Sequence, residues 1–295
     1  MKGLTYRSQK KAIIFLFLLT PVLLLLAFTY YPAVNLFYYS FTSWDGGLSR
    51  KLWIGLDNYK QIFRDPSIYK VFYNNFIYLI VGLVQVAIAL YFAVVLDAKL
   101  KGKNFFKVSL FLPYIVNSIA IGYMFNYMFD NQYGAINVFL RNAGLHGMTV
   151  NWLGDPKVVN YVLAFMALWK YMGFMMVIFI GALQSIPKEI YEAAAIDGAN
   201  RIQTFKSITL PSIRKVFEMM MFLNLNGAIA AYEFSFAIYP QGSPLGISDT
   251  FVTKTLNTAF KFQNFGLASA MGIVLMLMTA VLVLAQNKIL FRGGD

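Results

Sequence analysis

Few residues of this chain have side chains that could catalyse a reaction or bind a metal ion. Two charged residues lie within strongly apolar stretches. The chain has no cysteine and one histidine, His146, so it offers no thiol nucleophile and no thiolate metal site. His146 has no second ligand nearby in sequence and is predicted to be a surface residue, so no metal site is expected. Lys170 and Glu233 lie within apolar stretches, where a charge costs about 2.5 to 3.5 kcal/mol on membrane-insertion scales. Both should therefore face protein or water rather than lipid.

Lys170 lies in the middle of its apolar stretch, and two aromatic residues share its side of a predicted helix. Tyr171 and Phe174 follow it at the next position and at i+4. Aromatic rings stack on the C–H faces of sugars while polar groups hydrogen-bond to their hydroxyls, so this group could bind a sugar. A structural ion pair between Lys170 and Glu233 is the alternative, and the sequence leaves both open.

Small and polar residues also occur together in a later apolar stretch. Asn224, Gly227 and Ala228 fall on one stripe of a helix, and Asn226 and Glu233 fall on another stripe nearly opposite. Both stripes cannot line one pore equally. We favour the first as a substrate path, because small side chains beside an amide leave room for a ligand; ordinary helix packing would explain it equally well. Further polar candidates, for lining or for hydrogen bonds between helices, are Asn117, Ser118, Asn126 and Tyr127.

The composition indicates a membrane protein. Of the 295 residues, 59% are hydrophobic and 13% are charged, whereas soluble domains average roughly 45 to 50% and 25%. A membrane-spanning helix needs about 20 apolar residues. The sequence therefore predicts an all-α membrane protein with six transmembrane helices in one domain, residues 12–290. The predicted spans are 12–31, 76–96, 108–129, 159–181, 216–239 and 268–290.

The basic residues predict the orientation of the chain in the membrane. Most of them precede the first span, lie between the second and third or the fourth and fifth spans, or lie at the C-terminal end. These are Lys2, Arg7, Lys10, Lys11, Lys99, Lys101, Lys103, Lys107, Lys188, Arg201, Lys206, Arg214, Lys215, Lys288 and Arg292. By the positive-inside rule the N-terminal segment 1–11 and the tail 291–295 are cytoplasmic. The net charge of +12 then reflects cytoplasmic loops, and no nucleic-acid partner is expected.

The predicted cytoplasmic loop 182–215 has the pattern of two short helices rather than of a linker. Pro187 suits the first turn of a helix, and Gly198 suits its end. Asn200 and Gln203 have the spacing of a capping box that starts a second helix, and Pro211 stops it. The sequence therefore predicts a helical hairpin at the inner surface of the membrane.

The same loop carries a motif with many residues at fixed spacing. It consists of Glu192-Ala193-Ala194, Gly198, Ile208 and Leu210-Pro211. This pattern resembles the EAA loop of the membrane subunits of ABC importers. In its fuller form, from Leu183 to Pro211, it is similar to the permeases of carbohydrate importers, close to the maltose-transporter permease family. Weaker similarities extend along nearly the whole chain, including Gly55-Leu56-Asp57-Asn58-Tyr59, Asn74-Asn75, Leu112-Pro113 and Tyr232-Glu233-Phe234.

The resemblance implies a sugar importer of the bacterial cytoplasmic membrane that works by alternating access. Its other parts would be a second homologous permease, two cytoplasmic ATPase subunits and an extracellular solute-binding protein. The coupling residues would be Glu192, Ala193, Ala194, Ala195, Asp197 and Gly198. ATP and Mg²⁺ would bind the ATPase, and this chain would hold no cofactor and catalyse no reaction. Consistently, its only Gly-Lys pair, Gly102-Lys103, lacks the rest of a phosphate-binding loop.

The sequence allows alternatives to a sugar importer. An ABC importer for a solute other than a sugar is the nearest alternative. An ion-coupled secondary transporter would need several intramembrane carboxylates, and the sequence supplies mainly Glu233. An intramembrane hydrolase would need an activated nucleophile or a metal cluster, and neither pattern is present. For the hairpin, the alternative is an amphipathic helix resting on anionic lipid.

Overall fold

The computed structural model describes residues 6–290 apart from 49, 99 and 241, and it leaves out the side chains of 287, 289 and 290. The predicted tail 291–295 and the basic residues Lys2, Lys99 and Arg292 lie outside the described residues. The described part of the chain is helical, and its only strand-like pairing is an isolated bridge between Thr42 and Trp53. The predicted all-α class is therefore confirmed.

We number the helices in chain order. They are α1 Tyr6–Leu25, α2 Tyr31–Tyr39, α3 Asp57–Arg64, α4 Pro66–Asp97, α5 Lys103–Ile115, α6 Ser118–Met128, α7 Ala135–Asn142, α8 Val159–Gln184, α9 Lys188–Ile196, α10 Arg201–Thr204, α11 Leu210–Ser212, α12 Arg214–Ile229, α13 Glu233–Ile238, α14 Phe251–Leu256 and α15 Phe265–Leu290. Turns of π-helix, Leu26–Tyr30, Phe205–Thr209 and Asn257–Lys261, extend or join several of them.

Within the described residues, four continuous helices are long and apolar enough to cross a membrane. They are Tyr6–Tyr39, Pro66–Asp97, Val159–Gln184 and Phe265–Gln286. Their positions agree with the first, second, fourth and sixth predicted spans. The first helix extends beyond both predicted ends, and the second begins ten residues before its predicted start, because the residues that flank the apolar stretches continue the helix.

The third predicted span, 108–129, is wrong as a single helix. α5 and α6 meet at a bend of 101°. Val116 is extended, with φ −77° and ψ 138°, and Asn117 caps α6 by accepting a hydrogen bond from the Ile119 amide at 2.8 Å. The capping side chain starts a new helix in a new direction, which an apolar count alone cannot detect.

The fifth predicted span, 216–239, is also broken. α12 ends at Ile229, and α13 begins three residues after Ala230, at Glu233. The amide of Asn75 donates to the carbonyls of Ala228 and Ile229 at 2.9 and 3.0 Å. A carbonyl at a helix end needs such a partner away from water, so Asn75 stabilises the break.

The chain divides into two compact units. The first contains Met1–Asp65 and Thr255–Leu277, and the second contains Pro66–Lys254 and Met278–Asp295. In the first unit the amide of Asn58 donates to the carbonyls of Ser40 and Thr42, each at 2.9 Å. Asn58 lies in the segment Gly55–Tyr59, one of the weaker similarities to the permease family. Its buried amide holds the loop that follows α2 in place.

The second unit has two apolar clusters along the paired helices α4 and α8. The first cluster, which includes Ile77 and Leu163, lies on their N-terminal halves. The second, which includes Val86 and Phe179, lies on their C-terminal halves. Both halves of the α4–α8 pair are thus packed, and the polar residues between the clusters are left to line a cavity.

Replacing Gly173 by alanine should destabilise this unit by about 2 kcal/mol, in the range measured for overpacking. Gly173 lies in α8 against the backbone of α5, and a Cβ there would overlap the carbonyl oxygen of Leu110. Gly181 of the same helix has nothing within 4 Å of its Cβ position, so Gly181→Ala is the matched control. Unfolding of the two variants in detergent with increasing SDS measures the difference, and equal stabilities would refute the close approach.

Candidate functional site

A cavity of about 520 Å³ lies in the second unit and borders both apolar clusters. Its wall is mainly aromatic or small, with two amides and one carboxylate. The lining residues are Tyr78, Val81, Gly82 and Gln85 of α4, Tyr114 of α5, Ala164, Ala167, Tyr171, Phe174 and Met175 of α8, Leu223, Asn224, Gly227 and Ala228 of α12, and Ala230, Ala231, Tyr232, Glu233 and Phe234. A volume of this size suits a small organic ligand.

Asn224 places its side-chain amide at the cavity wall. The residue is only 7% exposed, and its Oδ1 is buried and has no hydrogen-bond partner among the described residues. Gly82 of α4 lies directly against this oxygen, where a Cβ would collide with it. Because Oδ1 is packed against α4, the remainder of the Asn224 side chain is the part that lines the cavity.

Aromatic rings form another part of the wall. Tyr114 stacks on Phe174 with the ring centroids 4.6 Å apart and the planes inclined by 17°, and it meets Tyr171 edge-on at 6.1 Å. The bend after α5 and the straight course of α8 place these rings together. Flat ring faces beside hydroxyl groups match a ligand with both C–H surfaces and hydroxyls.

Beside the cavity, four side chains from three helical segments form a hydrogen-bonded group. The ammonium of Lys170 lies 3.7 Å from Glu233 Oε2 and donates to the hydroxyl of Ser118. That hydroxyl donates to Glu233 Oε2 at 2.5 Å, and the hydroxyl of Tyr171 donates to the same oxygen at 2.8 Å. The side chain of Lys170 is 9% exposed and that of Glu233 is 38% exposed. The lysine is thus enclosed, while the carboxylate also faces the cavity.

The structure pairs Lys170 with Glu233, which is the alternative that the sequence left open beside a path role. Tyr171 and Phe174 line the cavity, whereas Lys170 does not. Its ammonium turns to Ser118 and Glu233 because a buried charge needs acceptors. A role of Lys170 in the substrate path stays a prediction.

The break in the fifth span also corrects the two-stripe argument. On one continuous helix Glu233 would lie nearly opposite Asn224, but both residues line the cavity. The backbone leaves the helix between Ala230 and Tyr232. Tyr232 has φ −153° and ψ −25°, which are not helical values. The change of direction brings Glu233 to the same side as Asn224, Gly227 and Ala228.

Several lining residues were missed from the sequence. Gln85 is buried, lines the cavity and donates to the sulfur of Met175 at 3.5 Å; a lone amide in an apolar stretch could have suggested it. Tyr114 gave no comparable signal, because tyrosines are frequent in this chain. Of the other polar candidates, Asn117 caps α6, Ser118 bonds to Glu233, and Asn126 and Tyr127 are exposed.

The loop predicted to couple to an ATPase folds as two helical segments joined at Gly198, and we call residues 188–204 the hairpin. The second segment continues past α10 through the π-turn Phe205–Thr209 into α11. Pro211 therefore lies inside this segment, which ends at Ser212 rather than at the proline.

α9 ends in a left-handed residue, Gly198, with φ +77°. The amide of Gly198 donates to the carbonyl of Ala195 at 3.2 Å, and that of Ala199 donates to the carbonyl of Ala194 at 2.9 Å. These two bonds form a Schellman motif, which favours glycine at this position.

The second helix of the hairpin starts with a capping box. The Gln203 amide donates to Asn200 Oδ1 at 2.9 Å, and the Asn200 amide donates to Gln203 Oε1 at 2.8 Å. At both helix ends next to Gly198, backbone N–H and C=O groups therefore form hydrogen bonds within the hairpin. A turn with its own hydrogen bonds can keep its shape while another protein moves it.

The side chains of the hairpin divide into an inner and an outer set. Ala194 is buried within the chain, so it is not part of the outer surface of the hairpin. The predicted coupling residues that are exposed are Glu192, Ala193, Ala195, Asp197 and Gly198. Ile196 lies among them with 86% of its surface exposed. An exposed isoleucine flanked by small residues and carboxylates is suited to contact another protein.

The described residues contain no group of three or more His, Cys, Asp or Glu that could hold a metal ion. His146 is exposed, in a short 3₁₀ turn. Outside the predicted membrane spans, the amides of Tyr133 and Gln132 donate to Asp130 and hold the pKa of its carboxyl below the usual value.

Comparison with known proteins shows extensive similarity. A family model described as binding-protein-dependent transport system inner membrane component matches residues 85–292. The diacetylchitobiose uptake system permease protein NgcF of Streptomyces coelicolor is 33% identical over 294 residues, which cover 95% of this chain and 83% of that protein. The arabinooligosaccharides transport system permease protein AraP of Bacillus subtilis is 31% identical over 285 residues, covering 95% and 89%.

The fold also matches solved structures. A chain of a bacterial ABC transporter involved in the import of the acidic polysaccharide alginate superimposes with a TM-score of 0.83 at 22% identity. The match covers 97% of this chain and 98% of that chain. The arrangement of helices is therefore shared along nearly the full length.

Proposed function

Since this chain belongs to the family of binding-protein-dependent transport system inner membrane components, we propose that it forms half of the translocation path of an ATP-driven sugar importer. It is a multi-pass membrane permease, and the cavity is the part of it that a solute would occupy. Relatives named for the uptake of diacetylchitobiose and arabinooligosaccharides support a carbohydrate as the solute.

One observation carries the proposal for the cavity. The side-chain amide of Asn224 and the stacked rings of Tyr114 and Phe174 line the same space. A sugar supplies hydroxyl donors at its edge and apolar C–H surface on its faces, so it matches both groups at once. Gly227 and Ala228 leave the room that a ring requires, and Tyr171, Phe174 and Glu233 complete the wall.

The hairpin is the proposed contact with two separate ATPase subunits, of which each would hold one such hairpin. Ala193 and Ala195 allow close approach, and Glu192 and Asp197 offer carboxylates to basic groups of the partner. When the ATPases close on ATP and Mg²⁺, the hairpin would transmit the movement to α8 and α12, between which it lies in the chain. The helices then alternate the access of the cavity from one side of the membrane to the other.

The remaining partners follow from the same assignment. A second homologous permease would supply the other half of the path, and an extracellular solute-binding protein would deliver the sugar. The charge pattern supports cytoplasmic termini in the bacterial inner membrane. The helix Tyr6–Tyr39 has no buried residues in its most apolar part, so lipid or a partner subunit is expected to cover it.

Replacing Asn224 by leucine should lower sugar uptake at least fivefold at subsaturating concentration. The variant removes the hydrogen-bonding amide and keeps a similar volume, and one hydrogen bond is worth about 1 kcal/mol. Uptake of labelled sugar by proteoliposomes that contain the assembled transporter measures the effect.

Asn226→Leu is the matched control, because the amide of Asn226 lies on the same helix and donates to the carbonyl of Phe222 at 2.8 Å rather than lining the cavity. It should retain uptake within about twofold. Equal uptake by both variants would remove Asn224 from the path and would contradict the proposed role of the cavity.

A further inference from the structure

The cavity wall carries very little charge. Among the described residues that line it, Glu233 is the only Asp, Glu, Lys, Arg or His. The other polar groups are the amides of Gln85 and Asn224 and the hydroxyls of tyrosines such as Tyr114 and Tyr171. A ligand in this cavity therefore meets one carboxylate and several neutral hydrogen-bonding groups.

The nearest cation is already engaged. The ammonium of Lys170 donates to Ser118, lies 3.7 Å from Glu233 Oε2, and lies 5.1 Å from the centre of the Tyr171 ring. Its side chain is enclosed and outside the cavity wall. The ion pair compensates the charge of Glu233, but it presents no free cation to a ligand.

The carboxylate itself is turned partly towards the ligand space. Both hydrogen bonds that the structure places on Glu233 end on Oε2, and about a third of the side chain is exposed. A carboxylate accepts hydrogen bonds and donates none. It therefore attracts hydroxyl groups and repels another carboxylate.

We propose that this cavity selects uncharged sugars and rejects sugars that carry carboxylates, with Glu233 as the residue that determines this specificity. The inference rests on the proposed function and narrows its substrate class. A uronate would place its carboxylate near that of Glu233, and among the described residues of the cavity wall no free cation offsets its charge. A neutral sugar would instead give hydroxyl donors to the Glu233 carboxylate.

The test is direct binding of sugars to the transporter assembled from this chain and its partner subunits, in nanodiscs and without the solute-binding protein. Saturation-transfer NMR gives dissociation constants for a panel of neutral di- and trisaccharides, maltotriose and cellobiose among them, and for the same sugars oxidised at C6. The wild type should bind each neutral sugar that it accepts at least tenfold more tightly than the matched uronate.

Glu233→Gln should reverse or nearly abolish this preference. The glutamine still accepts a hydrogen bond from Tyr171, while the positive charge of the enclosed Lys170 ammonium loses its compensating carboxylate, so the net charge beside the cavity becomes positive. We expect the affinity for uronates to rise at least tenfold. If the uncompensated lysine prevents folding, the double variant Lys170→Gln/Glu233→Gln keeps the charges balanced, and it should bind both sugar classes within about threefold of each other.

Each outcome bears on the proposal. Equal binding of neutral and oxidised sugars by the wild type would overturn it, as would an unchanged tenfold preference in the double variant. Failure of every sugar of either class to bind the wild type would instead overturn the proposed function, and this inference with it.

Discussion

Gly198→Pro should abolish ATP-driven transport while the chain still inserts into the membrane. Gly198 has φ +77° and donates its amide hydrogen to Ala195. Proline has no such hydrogen and fixes φ near −65°. The turn between the two hairpin helices could then no longer form, and the surface formed by Glu192, Ala195 and Ile196 would lose its shape. We expect at least a hundredfold loss of uptake and loss of the ATPase from the purified complex.

Gly198→Asn is the control, because asparagine tolerates the left-handed conformation better than other non-glycine residues. There is open space around the Cβ position of Gly198, so the added side chain itself should do no harm. This variant should keep the ATPase bound and transport within about threefold of wild type. Normal transport by Gly198→Pro would show that the turn is not required for coupling.

Asn75→Leu should destabilise the second unit by about 3 to 5 kcal/mol and stop transport. The amide of Asn75 donates to the carbonyls of Ala228 and Ile229, and its oxygen accepts from the amide of Phe251 at 2.8 Å. Leucine would leave three backbone groups without partners in an apolar region, where each costs roughly 1 to 3 kcal/mol. Unfolding in SDS and uptake by proteoliposomes measure the two effects.

The matched control for this change is Asn35→Leu. Asn35 also donates its amide to a backbone carbonyl, but that carbonyl belongs to Tyr31 of its own helix and has a helical partner available. The change should cost less than about 1 kcal/mol. Similar losses in the two variants would contradict the role of Asn75 at the break in the fifth span.

Local signals made the hairpin predictable. The signals for both of its helix ends lie within a few residues of each other, at Gly198 and in the Asn200–Gln203 pair. Their geometry depends on backbone conformation and short-range hydrogen bonds rather than on tertiary packing. The inward position of Ala194 was not predictable, because it depends on which side of α9 meets the rest of the chain.

The breaks in the third and fifth spans were not predictable from apolar length. The first depends on Asn117, which was noticed as a polar residue but not as a helix cap. The second depends on Asn75, which is more than 150 positions away from the carbonyls that it binds. The cavity residues of α12 could be found because they share one helix face, whereas the contribution of Glu233 required knowledge of the break before it.

The proposed contact between the hairpin and a separate ATPase inside the cell is tested most directly with a single cysteine. The chain contains no native cysteine, so Ala195→Cys places one unique thiol on the exposed side of α9. The thiol should resist a membrane-impermeant maleimide added outside intact cells, react with it in inside-out vesicles, and cross-link to the ATPase when it carries a photoreactive maleimide. Labelling from outside the cell, or cross-linking to lipid alone in the assembled complex, would contradict the assignment.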